Sequence, residues 1–251
     1  MLAIIGGSSL DSMTALEHVR RVKVDTPYGA PSGPLIIGKL NQHEVVFLAR
    51  HGENHQLPPH RINYRANLWA LQAQRVTQIV AVATVGGISA AFLAGTLAVP
   101  DQIIDYTWGR ASTFFDGEGA GHFGAVKHID FTQPYDEILR LRILQAARLV
   151  KVSIKEGATY ATTQGPRLET AAEIQRLARD GADIVGMTGM PEAALARELG
   201  LSYAALAVVV NAAAGTGASA VRIDLPAAEV LANAAMTRVV RILMALAADG
   251  D

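Results

Sequence analysis

The chain has 251 residues, half of them hydrophobic and 18% charged, with a formal net charge of −1 and no cysteine. Such a composition describes a compact globular protein with a sizeable core, not a disordered or repeat-built one, and the lack of a basic excess argues against a nucleic-acid partner. Disulfides, thiolate catalysis and Cys-ligated zinc are excluded; with no basic leader and no apolar run expected to span a membrane, the default is a cytoplasmic protein.

Residues 1–5 read as a short buried strand that stops at Gly6-Gly-Ser-Ser-Leu-Asp11. A Gly/Ser loop after a strand can turn backbone N–H groups and hydroxyls toward an anion. It matches neither the dinucleotide fingerprint nor the P-loop, and it reads equally well as a plain tight turn. Residues 25–34 are punctuated by Pro and Gly and form a loop. Residues 35–40 and 44–49 follow as a strand pair around Asn41-Gln42-His43, and the second strand runs into Arg50-His-Gly-Glu-Asn-His55. An Arg and a His at a strand's end suit an anion approached from its second side, since Arg offers a planar fork of donors; a polar surface loop is the alternative. His51, His55 and His60 lack the spacing of a helical metal-binding pair and have no acidic cluster beside them, so no metal is expected.

Residues 63–75 have helical periodicity, and residues 79–84 read as a buried strand breaking at Val85-Gly-Gly87. The pattern repeats over 97–104 toward Asp105, while 114–124 is Gly-rich and expected to be a mobile loop. Helices are predicted over 137–151, 171–180, 191–199 and 226–248, with Gly181 and Gly200 closing two of them. Strands are predicted over 157–162 and 204–210, the latter apolar without alternation and so buried on both faces. Strands and helices alternate with no linker and no internal repeat. That predicts an α/β fold: a single domain, spanning residues 1–251, with a mixed twisted β-sheet flanked by helices.

The chemistry concentrates between Tyr160 and Gly215. Glu169, Met187, Thr188 and Asn211 each stand where an apolar segment ends, which in an open α/β sheet is where ligands collect. This stretch reads as a nucleoside site. Taken singly, Asn211 could equally cap a strand end, and Glu169 could cap the helix that follows it.

Several motifs in order, Ile5-Gly-Gly-Ser8, Asp25-Thr-Pro-Tyr-Gly29, Leu48-Ala-Arg-His-Gly52, Asn63-Tyr-Arg-Ala-Asn-Leu-Trp-Ala70, Gly165-Pro-Arg167, Gly186-Met-Thr188 and Pro191-Glu192, cover nearly the whole chain. Together they resemble the trimeric purine nucleoside phosphorylases, in particular the 5′-methylthioadenosine phosphorylase branch. The resemblance implies attack of inorganic phosphate, as co-substrate, on C1′ of a purine nucleoside, with no cofactor and with a homotrimeric assembly. Carried over, Ser8, Arg50, His51, Thr84 and Thr188 would hold phosphate, and Met187 would line the ribose. Leu168 takes the place of an aromatic that usually stacks on the base, and Thr84 a position that is often Ala. Asn211, Glu169 and His51 would be the catalytic groups.

The base pocket departs from the methylthioadenosine pattern. Where those enzymes present two aspartates, this chain has Asn211 and Ala213. An amide offers both a donor and an acceptor, fitting O6 and N7–H of a 6-oxopurine. Glu169 matches the acidic residue that 6-oxopurine enzymes set against N1–H, and the lone pair on N1 of adenine would repel it. At the 5′ end, Ile223 stands near the place where inosine and guanosine phosphorylases have a His, and an apolar neighbour suits a methylthio group better than a hydroxyl. The expected substrate is therefore S-methyl-5′-thioinosine. The alternatives are methylthioadenosine, plain inosine or guanosine, hydrolysis by water, or a silent nucleoside-binding protein.

Overall fold

The computed structural model describes residues 1–7, 15–117 and 125–249. Ser8 and the Gly-rich segment 118–124 lie outside the described residues. The expected α/β architecture is present as one mixed sheet, 11-stranded among the described residues, with helices packed against it.

Strand β1 (Leu2–Gly6) lies parallel between β4 (His43–Ala49) and β5 (Gln78–Gly87). Strand β3 (Leu35–Leu40) pairs antiparallel with β4 through a turn at Asn41 and Gln42, both at positive φ. Beyond it lies β2 (Glu17–Val22), an exposed edge strand too polar to be read as one from its sequence. Strands β6 (Leu97–Val99) and β7 (Gln102–Asp105) are separate, where a single strand was expected; Pro100 lies between them and cannot donate to a ladder. Short β8 (Lys155–Glu156) pairs with β6, and β9 (Thr159–Thr162) lies between β7 and β10 (Ile184–Gly186). The longest strand, β11 (Ser202–Ala212), follows β5 in parallel along its length.

The helices obey local signals. In α1 (Tyr64–Ala73) the Asn63 side chain accepts the Ala66 N–H, and in α2 (Glu137–Leu149) Asp136 accepts that of Leu139. Helix α3 (Ala171–Arg179) opens with a full capping box of Thr170 and Glu173, and α4 (Glu192–Glu198) is followed by Gly200 at φ 70°. Helix α5 (Leu225–Ala248) has 24 residues and a mean hydropathy of 1.6, so, against expectation, one helix among the described residues has the length and composition to cross a membrane. Its apolar side is spent on the protein's own core: Ala235, Val239, Ile242 and Leu243 are fully buried in the cluster that also holds Leu139, Ile143 and Leu206.

Two features of β5 create a site. Its edge pairs with β1 over Gln78–Ala81 and with β10 over Gly86 and Gly87, leaving residues 82–85 without a strand partner on that side among the described residues. The Val85-Gly-Gly87 segment, expected to end the strand, stays in it. Glycine is needed there because a Cβ on Gly87 would fall 1.9 Å from the Phe92 carbonyl oxygen. Because β10 runs antiparallel to β5, the residues after Gly186 are delivered alongside this gap.

Candidate active site

The ends of β1, β4, β5 and β11 lie at one edge of the sheet, as the pairings Gly6 with Ala49 and Asn211 with Gly86 require. A cavity of about 760 Å³ opens there. Arg50 and His51 reach it from the end of β4, Thr84 from the gap in β5, and Met187 and Thr188 from the chain after β10. Leu168 and Glu169 enter from the loop before α3, Asn211 and Ala213 from the end of β11, and Ile223 from the segment before α5. All the residues expected to hold phosphate, ribose or base, Ser8 apart, thus line one cavity although their separation along the chain reaches from residue 50 to residue 223.

Arg50 is only 1% exposed. Its Nε and Nη2 donate to the two carboxylate oxygens of Glu192 at 2.8 and 3.0 Å, and Nη1 donates to the Val82 carbonyl at 3.0 Å. That carbonyl belongs to the unpaired edge of β5, so the gap that makes the cavity also holds the arginine. One N–H on each terminal nitrogen remains for a ligand. Burial alone would favour the neutral guanidinium, but the Glu192 carboxylate reverses this and keeps Arg50 firmly charged. Glu192 is fully buried and also accepts the Tyr203 hydroxyl at 2.8 Å. Glu192 belongs to the Pro191-Glu192 motif, and its role as the partner of Arg50 comes only from the fold. Its signal was present: a carboxylate beside Pro191 and before Ala-Ala-Leu needs a buried partner.

His51 differs from a cationic anion clamp. Burial and then the charge of Arg50 pull its pKa from 6.5 to about 4, so the ring is neutral at neutral pH. Nδ1 lies 2.8 Å from the Leu57 carbonyl, which can only accept, so Nδ1 carries the proton and Nε2 is an acceptor. Its ring stacks on His55 with centroids 4.4 Å apart. His60 sits in the separate 3-10 turn Pro59–Arg61. Among the described residues no three His, Asp or Glu side chains are grouped as a metal site.

Because its folded pKa is depressed, His51 contributes stability that is full above pH 6.5 and is lost as pH falls toward 4. Moving from pH 7.5 to pH 4.5 should lower the unfolding free energy of the natural protein by roughly 2–3 kcal/mol more than that of His51→Asn. Urea titrations of both proteins at both pH values measure this difference; equal losses would mean that His51 titrates normally.

At the other end of the cavity, the capping-box bonds of α3 come from Thr170 and Glu173, not from Glu169. Glu169 instead accepts the Thr163 hydroxyl at 2.6 Å. On β11 the register slips between Val209 and Asn211, and this bulge brings both Val210 and Asn211 to the cavity wall. The Asn211 amide donates to the Ala212 carbonyl at 2.7 Å, leaving one amide N–H and the side-chain oxygen for a ligand. The apolar residues Ile223, Leu225, Ala228 and Ala232 line the cavity together, and the exposed Glu229 joins them.

Sequence reasoning missed Arg110 altogether. Its guanidinium donates to the carbonyls of Met187 and Met190 at 2.9 and 2.6 Å, and to those of Thr163 and Gln164 at 3.3 and 2.9 Å. One cation thereby joins the loop leading to Glu169 with the loop carrying Met187 and Thr188. Lying beside a Gly-rich segment, Arg110 gave no local signal.

Residues 1–245 match a family model described as the phosphorylase superfamily. A protein of Xanthomonas campestris named as a probable S-methyl-5′-thioinosine phosphorylase is 54% identical over 92% of this chain and 90% of its own length. A 6-oxopurine nucleoside phosphorylase of Pyrococcus furiosus is 46% identical over 85% of this chain and 80% of its own. Among solved structures, methylthioadenosine phosphorylase from Schistosoma mansoni in complex with adenine superposes with a TM-score of 0.94 at 32% identity, covering 98% of this chain and 90% of that one.

Proposed function

The chain belongs to the phosphorylase superfamily, and from that premise we propose that it is a purine nucleoside phosphorylase acting on S-methyl-5′-thioinosine. Phosphate attacks C1′, the C1′–N9 bond breaks, and hypoxanthine and 5-methylthioribose 1-phosphate leave. The observation that carries this reading is one cavity lined by Asn211 and Glu169, by the buried Arg50, and by an apolar group around Ile223. The names of the two bacterial and archaeal relatives support a 6-oxopurine base. Only the first also supports the methylthio group.

In this reading Arg50, Thr84 and Thr188 hold phosphate, with Ser8 a further proposed donor. His51 takes part as a neutral ring whose Nε2 accepts a hydrogen bond from the hydroxyl of a hydrogen phosphate, the proton staying on phosphate. As the glycosidic bond stretches, the ribose becomes oxocarbenium-like, and the anion beneath C1′ stabilises that charge before bonding to it. As the base departs, N7 gains a proton from solvent; Asn211 accepts from that N7–H and donates to O6, and Glu169 accepts from N1–H. Leu168 packs against the purine, Met187 against the ribose, and Ala213 leaves the room that a larger side chain would take. Positioning and fixed charge provide the rate enhancement, and no cofactor is needed. A cytoplasmic homotrimer belongs to the same proposal.

Base release from methylthioinosine, methylthioadenosine and inosine, each with and without phosphate, tests it. Phosphate-dependent cleavage with methylthioinosine preferred is expected. Preference for methylthioadenosine would overturn the base assignment, equal use of inosine the 5′ assignment, and phosphate-independent cleavage the phosphorylase reading.

A further inference from the structure

Glu169 stands on a wall between two cavities. One is the candidate active site; the other, about 290 Å³, is lined by Tyr106, Trp108, Arg167, Glu173 and Arg176 as well as by Glu169 and Thr163. A carboxylate placed there has a competing attraction on the far side. Arg167 already holds Glu173 with two bonds of 2.7 and 2.8 Å, and it also feels the charge of Glu169. What holds Glu169 against that pull is the Thr163 hydroxyl, 2.6 Å from Oε1 and closer to it than to its other acceptor, the Gly186 carbonyl at 3.3 Å. Thr163 is itself fixed at both ends of its backbone: its N–H donates to the Gly186 carbonyl at 2.8 Å, and its carbonyl accepts from Arg110 at 3.3 Å. The carboxylate is thus tied to a residue whose backbone is hydrogen-bonded on both sides.

The bond also divides the two carboxylate oxygens. Hypoxanthine presents a single donor on this edge, N1–H. A 2-amino-6-oxopurine presents two parallel donors, N1–H and the 2-amino N–H, which pair best with both oxygens of an uncommitted carboxylate, fork to fork. Oε1 keeps a second lone pair, but it already accepts from Thr163; in the pose we infer, N1–H meets Oε2 and a 2-amino group must share Oε1 with that hydroxyl.

We propose that Thr163 is a positioning and specificity-determining residue. It pins Glu169 to the purine side and biases the site toward hypoxanthine over guanine-type bases. The inference rests on the 6-oxopurine reading above and adds to it a determinant outside the set of residues that meet the base.

The test is calorimetric binding of free hypoxanthine and free guanine, in saturating phosphate, to the natural protein, Thr163→Val and Thr163→Ser, with methylthioinosine turnover followed in parallel. Thr163→Val keeps the side-chain shape and removes the hydroxyl. It is expected to weaken hypoxanthine about tenfold while guanine weakens less or tightens, so that the hypoxanthine-to-guanine ratio of affinities falls at least fivefold. Thr163→Ser should restore the natural ratio, a readout that mere loss of packing would not move. A ratio unchanged in Thr163→Val, with turnover of the natural protein intact, overturns the assignment of Thr163 alone. Natural protein that neither binds hypoxanthine nor turns over methylthioinosine overturns the 6-oxopurine reading and this inference with it.

Discussion

Replacing Glu192 with alanine is expected to lower the unfolding free energy by about 3–5 kcal/mol, as breaking a buried ion pair from one side does, and to abolish phosphate-dependent turnover. The reason lies in how Arg50 is held. Its side chain and that of Glu192 are 1% and 0% exposed, so neither charge can turn to water when its partner goes. Without Glu192, Arg50 keeps only the Val82 carbonyl among its observed partners, and Tyr203 loses its acceptor. Phosphate should then partly substitute for the missing carboxylate. In Glu192→Ala, saturating phosphate is expected to raise the denaturation midpoint more than it does in the natural protein, because the ligand supplies the missing countercharge. Urea denaturation with and without phosphate measures both effects. A variant within about 1 kcal/mol of the natural stability, below the range for breaking a buried pair, would show that something other than this pair holds Arg50.

Asn211→Asp is expected to lower kcat/KM for methylthioinosine on the order of 10²–10³-fold, the usual cost of removing one donor aimed at developing charge. The two side chains have nearly the same shape, so the change is chemical. The amide donor that meets O6 is replaced by an acceptor, and two acceptors then face each other in a partly closed site. The same substitution favours a base with an exocyclic N–H donor at C6, and methylthioadenosine should gain activity relative to methylthioinosine. The gain stays limited while Glu169 faces the lone pair on N1 of adenine. Steady-state kinetics with both nucleosides decide the matter. Unchanged rates toward both would remove Asn211 from contact with the base, and its bond to the Ala212 carbonyl would then be its whole role.

The fold was largely legible because its signals are local. Unalternating apolar runs such as 204–210 announce strands buried on both faces, and Asn63, Asp136, Thr170 and Asp224 each cap the helix that follows them. Where the reading failed, a non-local contact was responsible. Gly86 and Gly87 end no strand because β10 and β11 pair with them on either side, and polar β2 is a strand only because β3 lies beside it. The long apolar helix α5 likewise takes its meaning from what it packs on.

The site divides in the same way. The sequence by itself determined the candidate set, since residue type at the end of an apolar run, together with a series of motifs in order, singles out Arg50, Glu169, Thr188 and Asn211, four residues that line one cavity. Only the tertiary structure decided their states. Whether an arginine is paired, which nitrogen of a histidine holds the proton, and which oxygen of a carboxylate is free all depend on partners distant in the chain: Glu192 lies 142 residues from Arg50. Those partners meet because β5 leaves part of one edge unpaired, and no stretch of sequence taken alone records that gap.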